Sequence, residues 1–443
     1  MFLRGVDSGP TVVGRGRILL ALKYLYKRQY HDLSECSTMA RSDVRMKFFW
    51  PLGLLAAACG GPTIVPLEMP LASVVSAGQH SCGLTAGGSA FCWGSNTTGE
   101  LGIGSTKDQT APAEVAGGLT FASLYAGWGH TCGLTSGGDA YCWGLNLSGQ
   151  LGTGETTEDP VTEPVAVSGG HKFVSLSLGG TFTCGMVAAG TAYCWGWNQL
   201  GQLGDGTQTD RSVPTAINIT ETFKELEAGA LHVCAVSTTN ETFCWGSNSN
   251  GQLGLGATGA IVVSTPTPVP SALVFTELAM GFRHTCALEV GGDAYCWGGD
   301  DLGQLGVAGV SDLNLPVLVA TPQPFVGIFS GAGHFSCGTD AAGTPYCWGG
   351  NSYLQLGHQS DQACLVGQDQ QQIACTLVPT PMTSTMKFST VAPGLQHTCG
   401  VAVSDQLVYC WGGGNVGELG NGQSGEDYYT MEPQLVVGQK GSG

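Results

Sequence analysis

The chain has 443 residues, 71 of them glycine, with 42% hydrophobic residues and a formal net charge of −17. That apolar content excludes a disordered glycine-rich chain, and the lack of a strict triplet period excludes collagen. Residues 1–58 carry nine Lys and Arg against four Asp and Glu, whereas residues 59–443 carry seven against twenty-nine, a net of −22. So few cations cannot neutralise phosphates, which excludes nucleic acid and an anionic lipid surface as partners of the body.

The amino end reads as a targeting segment. Phe48–Ala58 is an apolar run too short to span a bilayer as a helix, preceded by Arg41, Arg45 and Lys47, as in a secretory signal. Leu55-Ala56-Ala57-Ala58-Cys59 resembles a bacterial lipobox, with Ala56 where Leu is usual. The resemblance implies that Cys59 is lipidated and begins the mature protein, with residues 59–70 as a linker; a plain secretory signal is the alternative. Met39 or Met46 would each start a conventional signal, so the upstream residues are a candidate for a translation start assigned too early. A cell-envelope lipoprotein, at the outer membrane or cell surface, is the expected location, and secretion is the alternative.

From residue 71 to 437 one pattern recurs seven times, leaving 438–443 as a tail. The first unit reads Ala77-Gly78-Gln79-His80-Ser81-Cys82-Gly83-Leu84, a Gly-Gly turn, Ala90-Phe91-Cys92-Trp93-Gly94, then Gly99-Glu100-Leu101-Gly102. A period near fifty belongs to propellers or solenoids. Ser73–Ser76 and Phe121–Tyr125 are short apolar strands ending before glycine. His80–Thr85 and Ser89–Trp93 flank Ala86-Gly87-Gly88, which supplies the positive φ of a tight hairpin turn. Pro112–Val115 and Pro214–Ile217 give fourth strands, with proline where an edge tolerates it. Four antiparallel strands per unit predict an all-β, seven-bladed propeller.

The Ala-Gly-x-x-His, Tyr-Cys-Trp-Gly and Asn-x-x-Gly-Gln-Leu-Gly-x-Gly motifs resemble the repeat of the regulator of chromosome condensation family. The resemblance implies ring closure by strands from both termini, with Pro433–Val437 completing a blade alongside Leu71–Ser76. That arrangement would remove exposed sheet edges.

Of 18 cysteines, fourteen form Cys82–Cys92, Cys132–Cys142, Cys184–Cys194, Cys234–Cys244, Cys286–Cys296, Cys337–Cys347 and Cys399–Cys410. Cys364–Cys375 makes an eighth pair, and Cys36 lies in the leader. Cys82 and Cys92 are symmetric about Gly87 and face each other across the hairpin. A Cys-x-x-Cys knuckle is missing, so disulfides fit better than zinc, and they suit an exported protein. Each closes a loop of about eleven residues, worth roughly 2.5–3 kcal/mol on the chain-entropy model. His80, His130, His232, His284, His334 and His397 recur in register, with Phe182 in that place in the third unit. A residue repeated in nearly every unit reads as packing or a turn hydrogen bond. The Trp-Gly pairs are expected to pack between blades.

No catalytic, cofactor or metal site stands out, so no enzyme and no cofactor are expected. Specificity belongs where units depart from the repeat: Trp128, Trp197, Phe282 and Tyr353 are candidate partner-binding aromatics, and Cys364–Cys375 closes a Gln-rich insertion expected to project as a binding loop. The expected function is a monomeric, non-catalytic module for an unidentified protein ligand, tethered to a membrane by its lipid. Secreted β-lactamase inhibitors resembling the family are a precedent. Guanine-nucleotide exchange, the family's best-known activity, a lyase-like propeller enzyme and a purely structural envelope role are the alternatives. A non-repeated cluster of titratable groups in the central channel would favour the enzyme.

Overall fold

The computed structural model describes residues 70–256, 261–309, 311–366 and 371–439. The leader, the signal and Cys59 lie outside the described residues. The first unit folds as β1 (Leu71–Ala77), β2 (His80–Thr85), β3 (Ala90–Gly94) and β4 (Gln109–Glu114), paired antiparallel in that order. The turn between β2 and β3 needs Gly88, whose φ is +83° and whose added Cβ would sit 2.7 Å from the Phe121 carbonyl oxygen. Gly94 needs the same freedom. At φ +99° it ends the strand against the Gln79 carbonyl, beside a register shift in the β3–β4 pairing.

Six more such sheets follow, making seven, each built from one contiguous stretch of chain. The sixth carries a fifth strand, because Ala363–Val366 pairs with the long strand Gln371–Pro381. First strands are innermost and line the central channel. The expected shared blade does not form. Tyr429–Leu435 pairs with Val408–Gly413 in the seventh sheet, while β1 pairs with β2 in the first. The ring closes instead by packing of the terminal blades. Leu71, Val74 and Trp93 share a buried cluster with Val401, Leu419 and Val436, and Gln439 bridges the backbone N–H groups of Leu71 and Val408.

One tie recurs at the seams between blades. The Gly-Gln-Leu-Gly turn offers a backbone carbonyl that accepts from the indole of the following blade. Glu100 O takes Trp143 Nε1 at 2.9 Å, Gln150 O takes Trp195 at 3.0 Å, and Glu418 O takes Trp93 at 2.9 Å across the closure. Where the residue after the histidine slot is threonine, its hydroxyl donates to the same carbonyl: Thr131 to Glu100 O, Thr183 to Gln150 O, Thr285 to Gln252 O and Thr398 to Gln355 O. The histidine of the preceding blade then bonds that hydroxyl, His80 to Thr131 at 2.8 Å and His130 to Thr183 at 2.9 Å. Because the hydroxyl proton is committed to the carbonyl, the imidazole must donate through Nε2–H. Burial holds these imidazoles neutral, pushing His80 down to about 4 and His130 to about 3.

Trp297 Nε1 has no such partner, and two blades lack the histidine of the tie. In the third, Phe182 replaces the histidine and meets a blade whose hydroxyl position is Val233, so an apolar pair stands where the others have a polar one. In the sixth, the structure corrects the register: Phe335, not His334, pairs with Gly349 in the histidine slot. One extra turn residue pushes His334 outward, where its ring lies 5.1 Å from Phe282.

All seven Trp-Gly tryptophans are fully buried. The blade disulfides help cover them: Cys82 and Cys92 lie in one cluster with Phe121 and Trp143 of the next blade. Directly opposed cysteines, 4.1 Å apart at Cα, make the first six staples cross-strand pairs, and Cys399–Cys410 repeats the arrangement at 4.0 Å.

Candidate functional site

The seven innermost strands enclose a cavity of about 360 Å³ along the ring axis. In each blade the first-to-second and third-to-fourth connections leave on one face, because alternate antiparallel strands run the same way. Trp128 and Phe282 occupy first-to-second connections, and Trp197 and Tyr353 occupy third-to-fourth connections. All four candidate aromatics therefore sit on the same face.

The structure brings two of them together. Trp128 comes from the second blade and Phe282 from the fifth, on opposite sides of the ring, yet their rings stack at 5.2 Å with 19° between planes. The pair covers one mouth of the channel, with Trp128 among its lining residues. The Arg283 guanidinium lies 5.0 Å from the Phe282 centroid, within cation–π range. Trp197 and Tyr353 do not join them. Trp197 is half-buried in the third blade, and Tyr353 meets Tyr429 edge-on at 6.4 Å in the groove between the sixth and seventh blades.

The insertion leaves on this face too. It is a β-hairpin rather than a loop: Ala363–Val366 pairs with the first half of Gln371–Pro381, whose second half completes the sixth blade. Cys364 joins Cys375, and Ser360 Oγ donates to the Cys375 carbonyl. The hairpin walls a groove with Asn351, Gln359 and Tyr429.

Inside the channel the structure adds residues that sequence reasoning missed. Glu225, Glu227 and Glu277 stand on the innermost strands of the fourth and fifth blades (Phe223–Ala228 and Phe275–Met280). Glu225 Oε1 accepts the Leu278 N–H at 2.6 Å, and Glu277 Oε2 accepts the Ile328 N–H at 3.3 Å. Ser177 Oγ accepts the Ala228 N–H at 2.8 Å and donates to Glu227 Oε2 at 2.8 Å. Each contact satisfies an edge N–H that the innermost strand of the next blade cannot pair within its own sheet. Burial, then mutual repulsion, raises Glu227 to about 8 and Glu225 to about 7, and burial raises Glu277. Lining the units up column by column would have exposed them, since the third blade has Ser175 and Ser177 where the fourth has glutamates. Among the described residues, no three His, Cys, Asp or Glu side chains converge as metal ligands, and no helix is long and apolar enough to cross a membrane.

Repeated four-stranded blades, latched by tryptophans around a capped channel, define a seven-bladed propeller of the repeat-built kind. Its repeats match the model of the regulator of chromosome condensation (RCC1) repeat over residues 87–134, 137–186, 189–236, 240–288, 291–337 and 342–401. The chain belongs to that family. It is 30% identical over 358 residues to the ultraviolet-B receptor UVR8 of Arabidopsis thaliana, covering 79% of each chain. Its fold matches Prp20p of Saccharomyces cerevisiae, described with its binding properties to Gsp1p and histones, at a TM-score of 0.69 and 23% identity, covering 84% of this chain and 87% of that one. Yeast RCC1 (Prp20) bound to Kap60 gives a TM-score of 0.68 at 21% identity, covering 90% and 91%.

Proposed function

We propose that this chain is an exported, lipid-anchored, non-catalytic protein-binding module. The observation that carries the reading is the gathering of departures from the repeat on one face: four irregular aromatics and a disulfide-closed hairpin. Side chains shared by all blades maintain the ring, so a partner can be selected only by what differs. Pre-ordering the hairpin lowers the entropy lost on binding. The eight disulfides among the described residues suit an oxidising compartment and disfavour exchange on a cytosolic GTPase. The channel carboxylates are the one observation that favours an enzyme, but each already accepts a backbone or serine hydrogen bond that ties neighbouring blades.

The test is capture from a cell-envelope extract by the oxidised mature chain. A Trp197→Ala/Tyr353→Ala variant should lose the captured protein, whereas Val174→Ala/Val326→Ala, which lie toward the opposite face, should keep it. Equal capture by both variants would end the reading. Anchoring is tested separately: a fatty-acid analogue should label the wild type and spare Cys59→Ala.

A further inference from the structure

The two faces of the ring differ in charge. Among the described residues, connections on the face bearing the aromatics and the hairpin carry fourteen carboxylates, two of them (Glu100 and Glu418) buried in the ring, and two cations, while those on the opposite face carry six and two. The cations on or beside the acidic face are partly spoken for. Arg211 is paired with Asp205 at 2.7 Å, and Arg283 lies over Phe282 with Asp301 3.8 Å away.

One of these carboxylates also departs from the repeat at the residue that binds the turn, as the buried Glu100 and Glu418 do at the glutamine within it. Where Asn96, Asn146, Asn198, Asn248 and Asn351 bind the Gly-Gln-Leu-Gly turn, the fifth blade has Asp300. Its Oδ1 still accepts the Leu305 N–H at 2.9 Å, but the amide donor that Asn96 uses toward Ser105 O is lost. Asp301 and Asp312 crowd it, and burial with that repulsion lifts it to about 7. An acid in an amide slot, beside two more acids, costs the free protein and favours an arriving cation.

From this asymmetry we infer that the partner is a basic polypeptide, whose Arg and Lys side chains pair with the carboxylates of the aromatic face and stack at the Trp128–Phe282 mouth. The inference rests on the protein-binding reading and names the chemistry of its partner. Arg283 shows the geometry in miniature, with a guanidinium already resting on the Phe282 ring. Arginine is suited to such a surface because it pairs with carboxylates bidentately and stacks on aromatic faces.

The probe is an amidated dodecapeptide of four Arg-Gly-Ser repeats, read by fluorescence anisotropy against the oxidised mature chain. Two variants make the same change in net charge: Glu158→Gln/Asp361→Asn/Glu426→Gln on the aromatic face, and Glu221→Gln/Glu241→Gln/Asp293→Asn on the other. The first should weaken binding roughly fivefold or more, as three exposed pairs allow, and the second less than about twofold. Affinity should fall with added salt, and the Glu-for-Arg peptide should not bind. Equal loss from both variants, or no peptide binding, would overturn the inference. A partner captured from the envelope that depends on Trp197 and Tyr353 but ignores salt and charge would overturn it while leaving the protein-binding reading intact. Peptide binding that follows the face, with no envelope partner, would uphold it and count against that reading.

Discussion

The seven blade staples and the hairpin staple use the same bond for different ends. Cys184 and Cys194 are sealed at zero exposure, and Cys194 packs in the cluster that holds Trp245 of the following blade. Cys364 is half-exposed and stands outside the buried clusters, on a strand that only the insertion supplies. A staple shared by every unit is part of the packing between blades, so its loss opens the core. A staple found once, at the rim, orders a local feature and leaves the ring alone.

The largest effect should come from breaking a sealed staple. Cys184→Ala/Cys194→Ala loses the loop constraint and two packed sulfurs, about 3–5 kcal/mol in all. Cys364→Ala/Cys375→Ala should cost less than about 1.5 kcal/mol, because the hairpin makes few core contacts. Denaturant melts of the two variants check the ranking, and equal losses would erase the distinction.

The next contrast compares seams. Phe182→His alone places an imidazole against Val233 with no hydroxyl to receive its proton, an expected cost of about 1–3 kcal/mol. Adding Val233→Thr should recover about 1 kcal/mol or more by restoring the pair that His130 and Thr183 make. A double-mutant cycle with no coupling would show that the histidine–threonine tie contributes nothing at this seam.

Acidity should separate the seams from the channel and the acidic face. His130, His232, His284 and His397 are held at about 3, so between there and their ordinary value of 6.5 the unfolded chain binds protons that the folded ring refuses. Stability therefore rises with pH across that window. Glu225, Glu227, Asp300 and Glu418 are raised to about 7 or 8, so above their ordinary values the folded ring holds protons that the unfolded chain has released. Stability falls as pH climbs toward 8. Urea midpoints should peak between about pH 6 and 7 and drop on both sides, and Glu227→Gln should flatten the alkaline limb. A midpoint still climbing at pH 8.5 would contradict the raised carboxylates.

The smallest effect on the fold should come from mild reduction. A small dithiol reaches the half-exposed Cys364 more easily than any sealed cysteine, so Cys364 and Cys375 should be the first thiols that alkylation detects, with the melt nearly unchanged. Early labelling of Cys184 or Cys194 would place the weak point in the ring.

Seven units, their strands and their facing cysteines were legible because each is written within about fifty residues and repeated. Features made by distant blades were not. Trp128 and Phe282 are 154 residues apart and meet only because the ring folds them over one axis. Glu225 and Glu277 look like the polar face of a strand until the next blade's edge N–H arrives. His334 misled because one added turn residue shifts Phe335 into the slot, a change the motif hides. The shared closing blade failed for a related reason. Which strand pairs with which at the ring's ends depends on contacts between blades, and the unit repeat does not record them.

That the ring and the binding face are separable is tested most directly by removing the hairpin and following stability and capture together. Thr376 must stay, because it pairs with Gly349 and bonds the buried His358, so the excision runs from Ala363 to Ala374 with Cys375→Ala. The melting temperature should shift by no more than about 2 °C, while capture of whatever protein the extract yields to the wild type weakens roughly tenfold or more. Unchanged capture, or a collapsed ring, would contradict the account.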